Sequence, residues 1–296
     1  MARFWRRLRL TLEMIKFEHS VFALPFALTG ALLAWRDSGF QIGHLDERFF
    51  WIVVAMVAAR SAAMTFNRIL DADIDARNRR TANRHLPAGL LSARFAWGFT
   101  LASTFIFLWA ARQLGSLCFL LAPVALAIVF FYSFSKRFTM LSHLILGFCL
   151  GIAPAAAWIA MRDSLDARIL WLTAAVMFWT AGFDVIYACQ DFEFDRTEGL
   201  FSIPRRFGLG GALMIARFLH LAMIGCLLAL VFTFHLGALS MLGVAAVVGL
   251  LIYEHGMVKP HDFSRVNAAF FTVNGYVSLL FFVFWAADIL LHRKYL

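Results

Sequence analysis

Long apolar segments alternate with short polar ones along most of this chain of 296 residues. Each apolar segment is close to the roughly 20 residues that an α-helix needs to cross the hydrocarbon core of a bilayer. The pattern therefore predicts an all-α integral membrane protein. Nine transmembrane helices are expected, at residues 17–35, 48–66, 95–113, 115–133, 141–161, 168–187, 211–234, 236–254 and 268–291.

Composition supports the same class of protein. Hydrophobic residues make up 62% of the chain and charged residues 15%, which lies outside the usual range of soluble domains. No Gly/Ser linker or charge block interrupts the spans, so a single domain covering residues 1–296 is expected. The basic start leads into a span without a small-residue cleavage site, which argues against a cleavable signal peptide.

The net charge of +9 concerns orientation rather than nucleic acid. Most of the 27 Lys and Arg residues fall on the side that holds the amino terminus and the even-numbered loops. By the positive-inside rule, this side is cytoplasmic, which predicts a multi-pass protein of the cell inner membrane. The basic residues lie in short loops beside anionic headgroups and form no nucleic-acid-binding module, so the expected partner is the lipid bilayer.

A first polar cluster lies at the inner end of the second span. Asn67, Asp71 and Asp75 are four residues apart and share one face of a helix, whereas Asp73 points about 160° away. Carboxylates in a membrane protein require cations, water or a metal. Hard oxygen ligands favour Mg2+, which binds through one or two carboxylates together with substrate phosphate oxygens. The cluster therefore predicts a Mg2+ site and a diphosphate substrate.

A second cluster repeats this arrangement at the end of the sixth span. Its members, on one helical stripe, are Asp184, Tyr187, Asp191 and Asp195, with Glu193 off the stripe. A single Asp at this depth is usually an interfacial charge. Two ladders at the same side of the membrane instead favour a pair of facing carboxylate sets, which suits divalent metals.

Basic residues next to the clusters are candidates for neutralising a diphosphate. They are Arg68, Arg84, Lys136, Arg137, Arg205 and Arg206. Arg60 is different, because it lies two helical turns deeper than Asn67 on the same face, where an unpaired charge is costly. Its partner is expected to be either an Asp or a substrate acid. By contrast, we expect Glu254, His255, His261 and Asp262 to lie in a solvated loop.

The two motifs Asn67-Arg68-x-x-Asp71-x-x-x-Asp75 and Asp184-x-x-Tyr187-x-x-x-Asp191-x-x-x-Asp195 resemble the signature motifs of UbiA-type aromatic prenyltransferases. The resemblance covers nearly the whole chain. It extends to Lys16-Phe-Glu-His19 with Pro25, Tyr132-Ser133-x-x-Lys136-Arg137-x-Thr139, Gly151-x-Ala-Pro154, and Tyr253-Glu-His255 with Lys259-Pro260. It implies nine transmembrane helices around a central cavity with cytoplasmic cap segments. The activity that it implies joins a polyprenyl diphosphate to an aromatic acid.

The resemblance also implies roles for the residues of both clusters. One Mg2+ is held by Asn67, Asp71 and Asp75, and a second by Asp191 and Asp195. Tyr187 stabilises the allylic cation, Asp191 assists deprotonation of the acceptor hydroxyl, and Arg137 adds positive charge. The residues expected to contact substrates are Asn67, Arg68, Lys136, Arg137, Arg60 and Asp184.

The acceptor remains open at the level of sequence. The flanking motifs resemble the 4-hydroxybenzoate polyprenyltransferase branch, which belongs to ubiquinone biosynthesis. A hydroxynaphthoic acid on a menaquinone route or haem is an alternative acceptor, and either Arg60 or Arg137 would bind an acid carboxylate. An ion-coupled transporter is an alternative from a different class of protein. In such a transporter, carboxylates are expected near the bilayer midplane, in broken helices.

Overall fold

A computed structural model describes residues 2–15 and 20–291 of the chain. Within these ranges the secondary structure is helical and contains no β-strand. The α-helices are α1 (Ala2–Met14), α2 (Ser20–Asp37), α3 (Leu45–Leu70), α4 (Ala72–Arg77), α5 (Ala93–Leu114), α6 (Ser116–Ser135), α7 (Ser142–Arg162), α8 (Leu170–Ala188), α9 (Phe192–Glu198), α10 (Ile203–Thr233), α11 (Ala238–Met257), α12 (Val266–Ala268) and α13 (Asn274–Leu291). Shorter 3₁₀ turns span Ala167–Ile169 and Cys189–Asp191, and a π-helical turn spans Ala269–Val273.

The predicted all-α membrane class is confirmed. Eight helical segments of the described chain are long and apolar enough to cross a membrane, against nine spans predicted from hydropathy. The difference concerns the first predicted span, which corresponds to α2 and starts at the edge of the described residues. The 18 residues of α2 end on Arg36 and Asp37, which lowers the mean hydropathy of this segment. The Lys16–His19 part of the resemblance lies outside the described residues.

The helices form two compact units. The first consists of the described residues within Met1–Ser20 and Phe50–Phe134, and the second of those within Val21–Phe49 and Ser135–Leu296. The first polar cluster belongs to the first unit and the second cluster to the second unit.

Close packing of α7 against α8 fixes the frame of the second unit. A Cβ atom on Gly147 would lie 2.2 Å from the Met177 carbonyl oxygen, and one on Gly151 would lie 2.7 Å from that of Thr173. Small residues permit such backbone approach between membrane helices, where dispersion contacts replace the hydrophobic driving force. The spacing of these glycines by four residues places both on the face of α7 that contacts α8.

Both acidic clusters lie where a long helix ends and a short one begins. In the first unit, α3 stops at Leu70, Asp71 leaves the helical region, and α4 starts at Ala72. In the second unit, α8 tightens into the 3₁₀ turn Cys189–Asp191 before α9. Both short helices follow a span at its polar end, as expected for cap segments.

The start of α10 is a separate short helical segment. The Ser202 hydroxyl caps it by accepting a hydrogen bond from the Arg205 N–H at 3.3 Å. Gly208 then adopts φ 72° and ψ 170°, a conformation open essentially to glycine alone. The chain can therefore kink between this basic segment and the apolar remainder of α10.

Candidate active site

The first ladder assembles as its spacing predicts. The Asn67 Nδ2 donates a hydrogen bond to Asp71 Oδ2 at 3.2 Å. Asp71 and Asp75 retain only 3% and 4% of their accessible surface, whereas Asp73 is exposed. The helical period thus survives the break at Asp71, because the Asp75 N–H still donates to the Asp71 carbonyl oxygen at 2.7 Å.

Two arginines supply the charge that these buried carboxylates require. Arg84 Nη1 donates to both carboxylate oxygens of Asp75, at 2.7 Å and 2.8 Å. The charge of Arg68 interacts with those of Asp71, Asp75 and Arg84. The Thr81 hydroxyl donates to the Asp75 main-chain carbonyl at 3.0 Å and so ties the following loop to α4. Positive charge therefore already borders the candidate metal ligands of this unit.

Arg60 lies in α3 and is half-buried, within the predicted second span. That Arg60 pairs with either an Asp or a substrate acid stays a prediction. Tyr132, from the motif that also contains Lys136 and Arg137, interacts electrostatically with Arg68. The first unit therefore gathers residues from α3, α4 and α6 around Arg68.

The second ladder brings Asp195 together with a predicted cation. Asp195 is hydrogen-bonded by the Ser202 side chain, and its charge interacts with those of Asp191 and Lys136. The main chain supports this arrangement, because the Phe201 N–H donates to the Lys136 carbonyl oxygen at 2.8 Å. Arg137 follows in the same turn and is half-buried. Lys136 is thus held near the Asp195 carboxylate of the second cluster.

Asp184 has a partner that the sequence analysis missed. His143 Nδ1 lies 2.7 Å from Asp184 Oδ2, and His143 Nε2 accepts a hydrogen bond from the Ile203 N–H at 3.4 Å. These contacts suit one neutral tautomer, in which Nδ1 carries the proton. His143 therefore links the Asp184 side chain on α8 to the beginning of α10. The sequence offers a lone His in an apolar span, 41 residues from Asp184, and nothing in that pattern names the partner.

Tyr187 faces a set of aromatic rings. Its ring centroid lies 4.3 Å from that of Phe270 and 6.3 Å from that of Phe271, both on the π-helical turn. Phe183, one turn earlier on α8, packs edge-on against Phe270 at 5.1 Å. The electron-rich surroundings expected for Tyr187 are therefore built by the helical span that follows α11 as well as by α8.

The expected solvated loop at residues 254–262 is wrong for its first two members. Glu254 and His255 lie inside α11, and Glu254 has no accessible surface. Helix α11 continues three residues past the predicted end at 254. Glu254 lies on the face of this helix that packs against the protein interior. Asp262 does lie in the exposed loop, where a hydrogen bond from the Ser264 side chain lowers the pKa of its carboxyl group.

Oxygen ligands are arranged in small sets in each unit. Within the described residues, no group of three or more His, Cys, Asp and Glu side chains is placed to hold a metal ion. The first unit nevertheless offers two buried carboxylates and an amide, and the second offers Asp191 and Asp195. Such sets fit Mg2+, since this ion takes one or two carboxylates and completes its shell with water and phosphate oxygens.

These features define a polytopic membrane protein with buried, cation-flanked carboxylates at the end of α3 and half-buried carboxylates at the end of α8. A profile of the UbiA prenyltransferase family matches residues 23–287. The chain belongs to that family, as its two motifs indicate, and it is a membrane prenyltransferase.

Individual relatives agree with this assignment. The chain is 30% identical over 244 residues to the 4-hydroxybenzoate octaprenyltransferase of Aliivibrio salmonicida, covering 81% of this chain and 83% of the relative. Its fold is similar to that of a UbiA homologue from Aeropyrum pernix K1, with a TM-score of 0.82, 34% identity, and coverage of 92% and 98%. A UbiA homologue from Archaeoglobus fulgidus bound to DMAPP and Mg2+ shares the fold, with a TM-score of 0.71, 20% identity, and coverage of 94% and 98%.

Proposed function

We propose that this protein transfers a polyprenyl group from its diphosphate to the ring of a 4-hydroxybenzoate-type acid, as a step of ubiquinone biosynthesis. The observation that carries the proposal is the burial of Asp71 and Asp75 beside Arg68 and Arg84 at the end of a span. Buried carboxylates flanked by cationic side chains suit the binding of a metal and a diphosphate better than the transport of a cation. The names of the curated relatives support the choice of acceptor.

The metal ligands are proposed to be the oxygen donors of the two ladders. Asn67, Asp71 and Asp75 would hold one Mg2+, and Asp191 with Asp195 a second. The ion would supply Lewis-acid stabilisation of the departing diphosphate. Support comes from the donor chemistry and from the A. fulgidus homologue of the same fold, which was solved with DMAPP and Mg2+.

The remaining residues act on the organic part of the reaction. Arg68, Lys136 and Arg137 offset the charge that grows on the diphosphate as the allylic carbon–oxygen bond breaks. The Tyr187 ring, packed on Phe270, stabilises the allylic cation through the negative face of its π system. The acceptor ring then forms a carbon–carbon bond with the cation and loses a proton. Asp191 assists by accepting the proton of the acceptor hydroxyl, and the proton lost from the ring carbon restores that hydroxyl.

Recognition of the acceptor acid is assigned to an arginine, either Arg60 or Arg137, because a guanidinium binds a carboxylate through two parallel hydrogen bonds. Asp184 contributes through His143, which connects it to the first turn of α10. Any direct contact of Asp184 with substrate stays part of the proposal.

The two compact units are proposed to act as one domain spanning residues 1–296 in the bacterial inner membrane. The amino terminus and both acidic clusters would face the cytoplasm. The positive-inside distribution of Lys and Arg supports this orientation. Water-soluble acids and Mg2+ would then reach the site from the cytoplasm, and the isoprenoid from the lipid.

The test is product formation by the purified protein in detergent. Geranyl or farnesyl diphosphate is offered with 4-hydroxybenzoate, with a dihydroxynaphthoate or with haem, in the presence of Mg2+ or of a chelator. We expect a ring-prenylated 4-hydroxybenzoate that requires Mg2+. Preference for the naphthoate would move the enzyme to a menaquinone route. Absence of product with every acceptor, from folded protein, would contradict the proposal and favour the ion-coupled transporter.

A further inference from the structure

A buried polar network lies in the second unit, among residues to which the proposed reaction gives no role. The side chains of Trp179, Glu254 and Asn274 have no accessible surface, and that of His220 is nearly as buried. They belong to four different helices, α8, α11, α13 and α10. Buried polar groups in a membrane protein are costly unless they bond to one another, so a network of this kind specifies one helix arrangement.

Asn274 is the centre of the network. Its Oδ1 accepts a hydrogen bond from Trp179 Nε1 at 2.7 Å, and its Nδ2 donates to Glu254 Oε1 at 2.8 Å. The same Nδ2 also donates to the Ala269 carbonyl oxygen at 3.2 Å. The Trp179 indole fixes which way the amide points, since its N–H only donates and must therefore meet Oδ1.

The contact with Ala269 reaches the π-helical turn. This turn runs from Ala269 to Val273, so Asn274 closes it from its carboxyl end while bonding to its first residue. A π turn is rare because it widens the helix, and such turns are frequent at functional sites. Here the amide of Asn274 stabilises the widened turn and at the same time anchors it to α8 and α11.

The π turn carries the rings that surround Tyr187. Phe270 lies 4.3 Å from Tyr187 at an interplanar angle of 40°, and 5.1 Å from Phe183 in an edge-on contact. Trp179, Phe183 and Tyr187 follow one another at intervals of four residues on α8 and therefore share one face. Asn274 is thus bonded directly to Trp179 at one end of this row, and it is connected to Tyr187 at the other end through the turn that carries Phe270.

The α8 side of the network is also held in place. His220 Nε2 lies 3.3 Å from the Trp179 carbonyl oxygen, and His220 Nδ1 lies 2.9 Å from His255 Nε2. A Cβ atom on Gly182 would come within 2.4 Å of the His220 ring, so only glycine leaves room for the ring beside α8. Trp179 therefore offers Asn274 a fixed donor.

We propose that Asn274 is a positioning residue for Tyr187: it holds the π-helical turn so that Phe270 packs on the Tyr187 ring. The inference rests on the proposed function, in which that ring stabilises the allylic cation. Asn274 itself touches no reacting atom. A ring that shifts away from the cation loses attraction in the transition state, whereas diphosphate and metal binding at the acidic ends is unaffected.

The experiment is a double-mutant cycle between Asn274→Ala and Phe270→Leu, measured as kcat and as KM for the prenyl diphosphate. We expect each single change to lower kcat roughly tenfold while KM changes less than about twofold. In the Phe270→Leu background, Asn274→Ala should lower kcat by less than about twofold further, because the Phe270 ring that connects Asn274 to Tyr187 is already absent. Full multiplication of the two single effects would overturn the proposal.

Asp288→Ala is the matched control. Asp288 is buried on the same helix and accepts hydrogen bonds from the Gly237 N–H at 2.6 Å and from the Ser240 hydroxyl at 2.9 Å. Its loss also removes bonds between helices, at a place 14 residues from Asn274. We expect a fall in Tm similar to that of Asn274→Ala with kcat within about twofold of the wild type. An equal loss of kcat in both variants would reduce Asn274 to a stability role and overturn the proposal.

A measurement without substrate separates this inference from the proposed function. The five tyrosines are labelled as 3-fluorotyrosine, and the Tyr187 resonance is assigned with Tyr187→Phe. Asn274→Ala should shift the Tyr187 fluorine signal, and Asp288→Ala should leave it in place. If the wild type forms no product and Asn274→Ala still shifts the Tyr187 signal, the proposed function alone is refuted. An unmoved signal in an active enzyme would refute the positioning role alone.

Discussion

Individual side chains at the ends of the spans carry the chemistry of this protein, and burial decides which of them take part. Asp71 and Asp75 are buried in contact with Asn67 and Arg84, whereas Asp73, between them in sequence, is exposed. Two residues, or a little over half a helical turn, separate a candidate ligand from a solvated charge. Residues with the same chemistry thus have different expected effects when they are substituted.

Asp71→Asn is expected to reduce prenyl transfer by at least about 100-fold, because it removes one of the two carboxylate charges that offset the charge of Mg2+ at this site. Asp73→Asn, the exposed neighbour, should stay within about threefold of the wild type. Both variants are compared by initial rates at saturating Mg2+, with Tm recorded to establish that they fold. Retained activity in Asp71→Asn and in the equivalent Asp191→Asn would remove the metal assignment.

Arg84→Gln is expected to lower stability in the absence of metal. Asp75 would lose the Arg84 Nη1 group that donates to both of its oxygens while remaining buried, which we estimate to cost about 1 to 3 kcal/mol, since Arg84 itself is partly exposed. Mg2+ should restore much of the lost Tm, because the ion can replace the missing positive charge. Thermal unfolding of Arg84→Gln with and without Mg2+ measures this, and Arg79→Gln, at an exposed position, is the control. An identical Mg2+ response in the two variants would argue against a metal at Asp75.

Helices of the second unit are held at short distances by glycines and by hydrogen bonds that cross between them. Gly147, Gly151 and Gly182 each lie where a side chain would meet a neighbouring helix. His143 and Asn274 connect helices that are far apart in sequence. These contacts place the ladder of α8 opposite fixed neighbours.

Gly147→Ala is expected to destabilise the protein by about 1 to 3 kcal/mol, because its Cβ would come within 2.2 Å of the Met177 carbonyl oxygen and backbone cannot rotate away. Gly225→Ala in α10 is the matched change, since nothing lies within 4 Å of its Cβ. There the gain in helix propensity should leave stability unchanged or raise it by up to about 1 kcal/mol. Tm in detergent compares the two. A Gly147→Ala protein as stable as Gly225→Ala would contradict the packing of α7 on α8.

At the scale of the whole molecule, the number of crossings decides on which side each end of the chain lies. Eight described segments meet the length and hydropathy of a span, and α2 is shorter and ends on two charged residues. If α2 also crosses, as hydropathy over residues 17–35 predicts, the chain crosses nine times. The cytoplasmic assignment of the acidic clusters depends on this count and on the positive-inside rule.

Fusions of alkaline phosphatase or green fluorescent protein after Leu291 test the count in a bacterial host. Nine crossings from a cytoplasmic start place this point outside the cytoplasm, so the phosphatase fusion should be active and the fluorescent fusion dark. A second pair of fusions, in the loop after Asp75 at residue 83, should give the opposite result. A fluorescent fusion after Leu291 together with an active phosphatase fusion at residue 83 would mean that α2 does not cross, because Leu291 would then follow eight crossings and residue 83 only one.

The sequence by itself determined the membrane class, the helix pattern and the family, because bilayer thickness and helical period act on consecutive residues. It also determined the local part of the site, where Asn67, Asp71 and Asp75 share a face through spacings of four. The tertiary structure decided the rest. His143 contacts Asp184 across 41 residues, and Glu254 is buried against Asn274, which is 20 residues away in another helix. Such partners are chosen by how helices pack, and periodicity along one helix carries no information about which face of another helix it will meet.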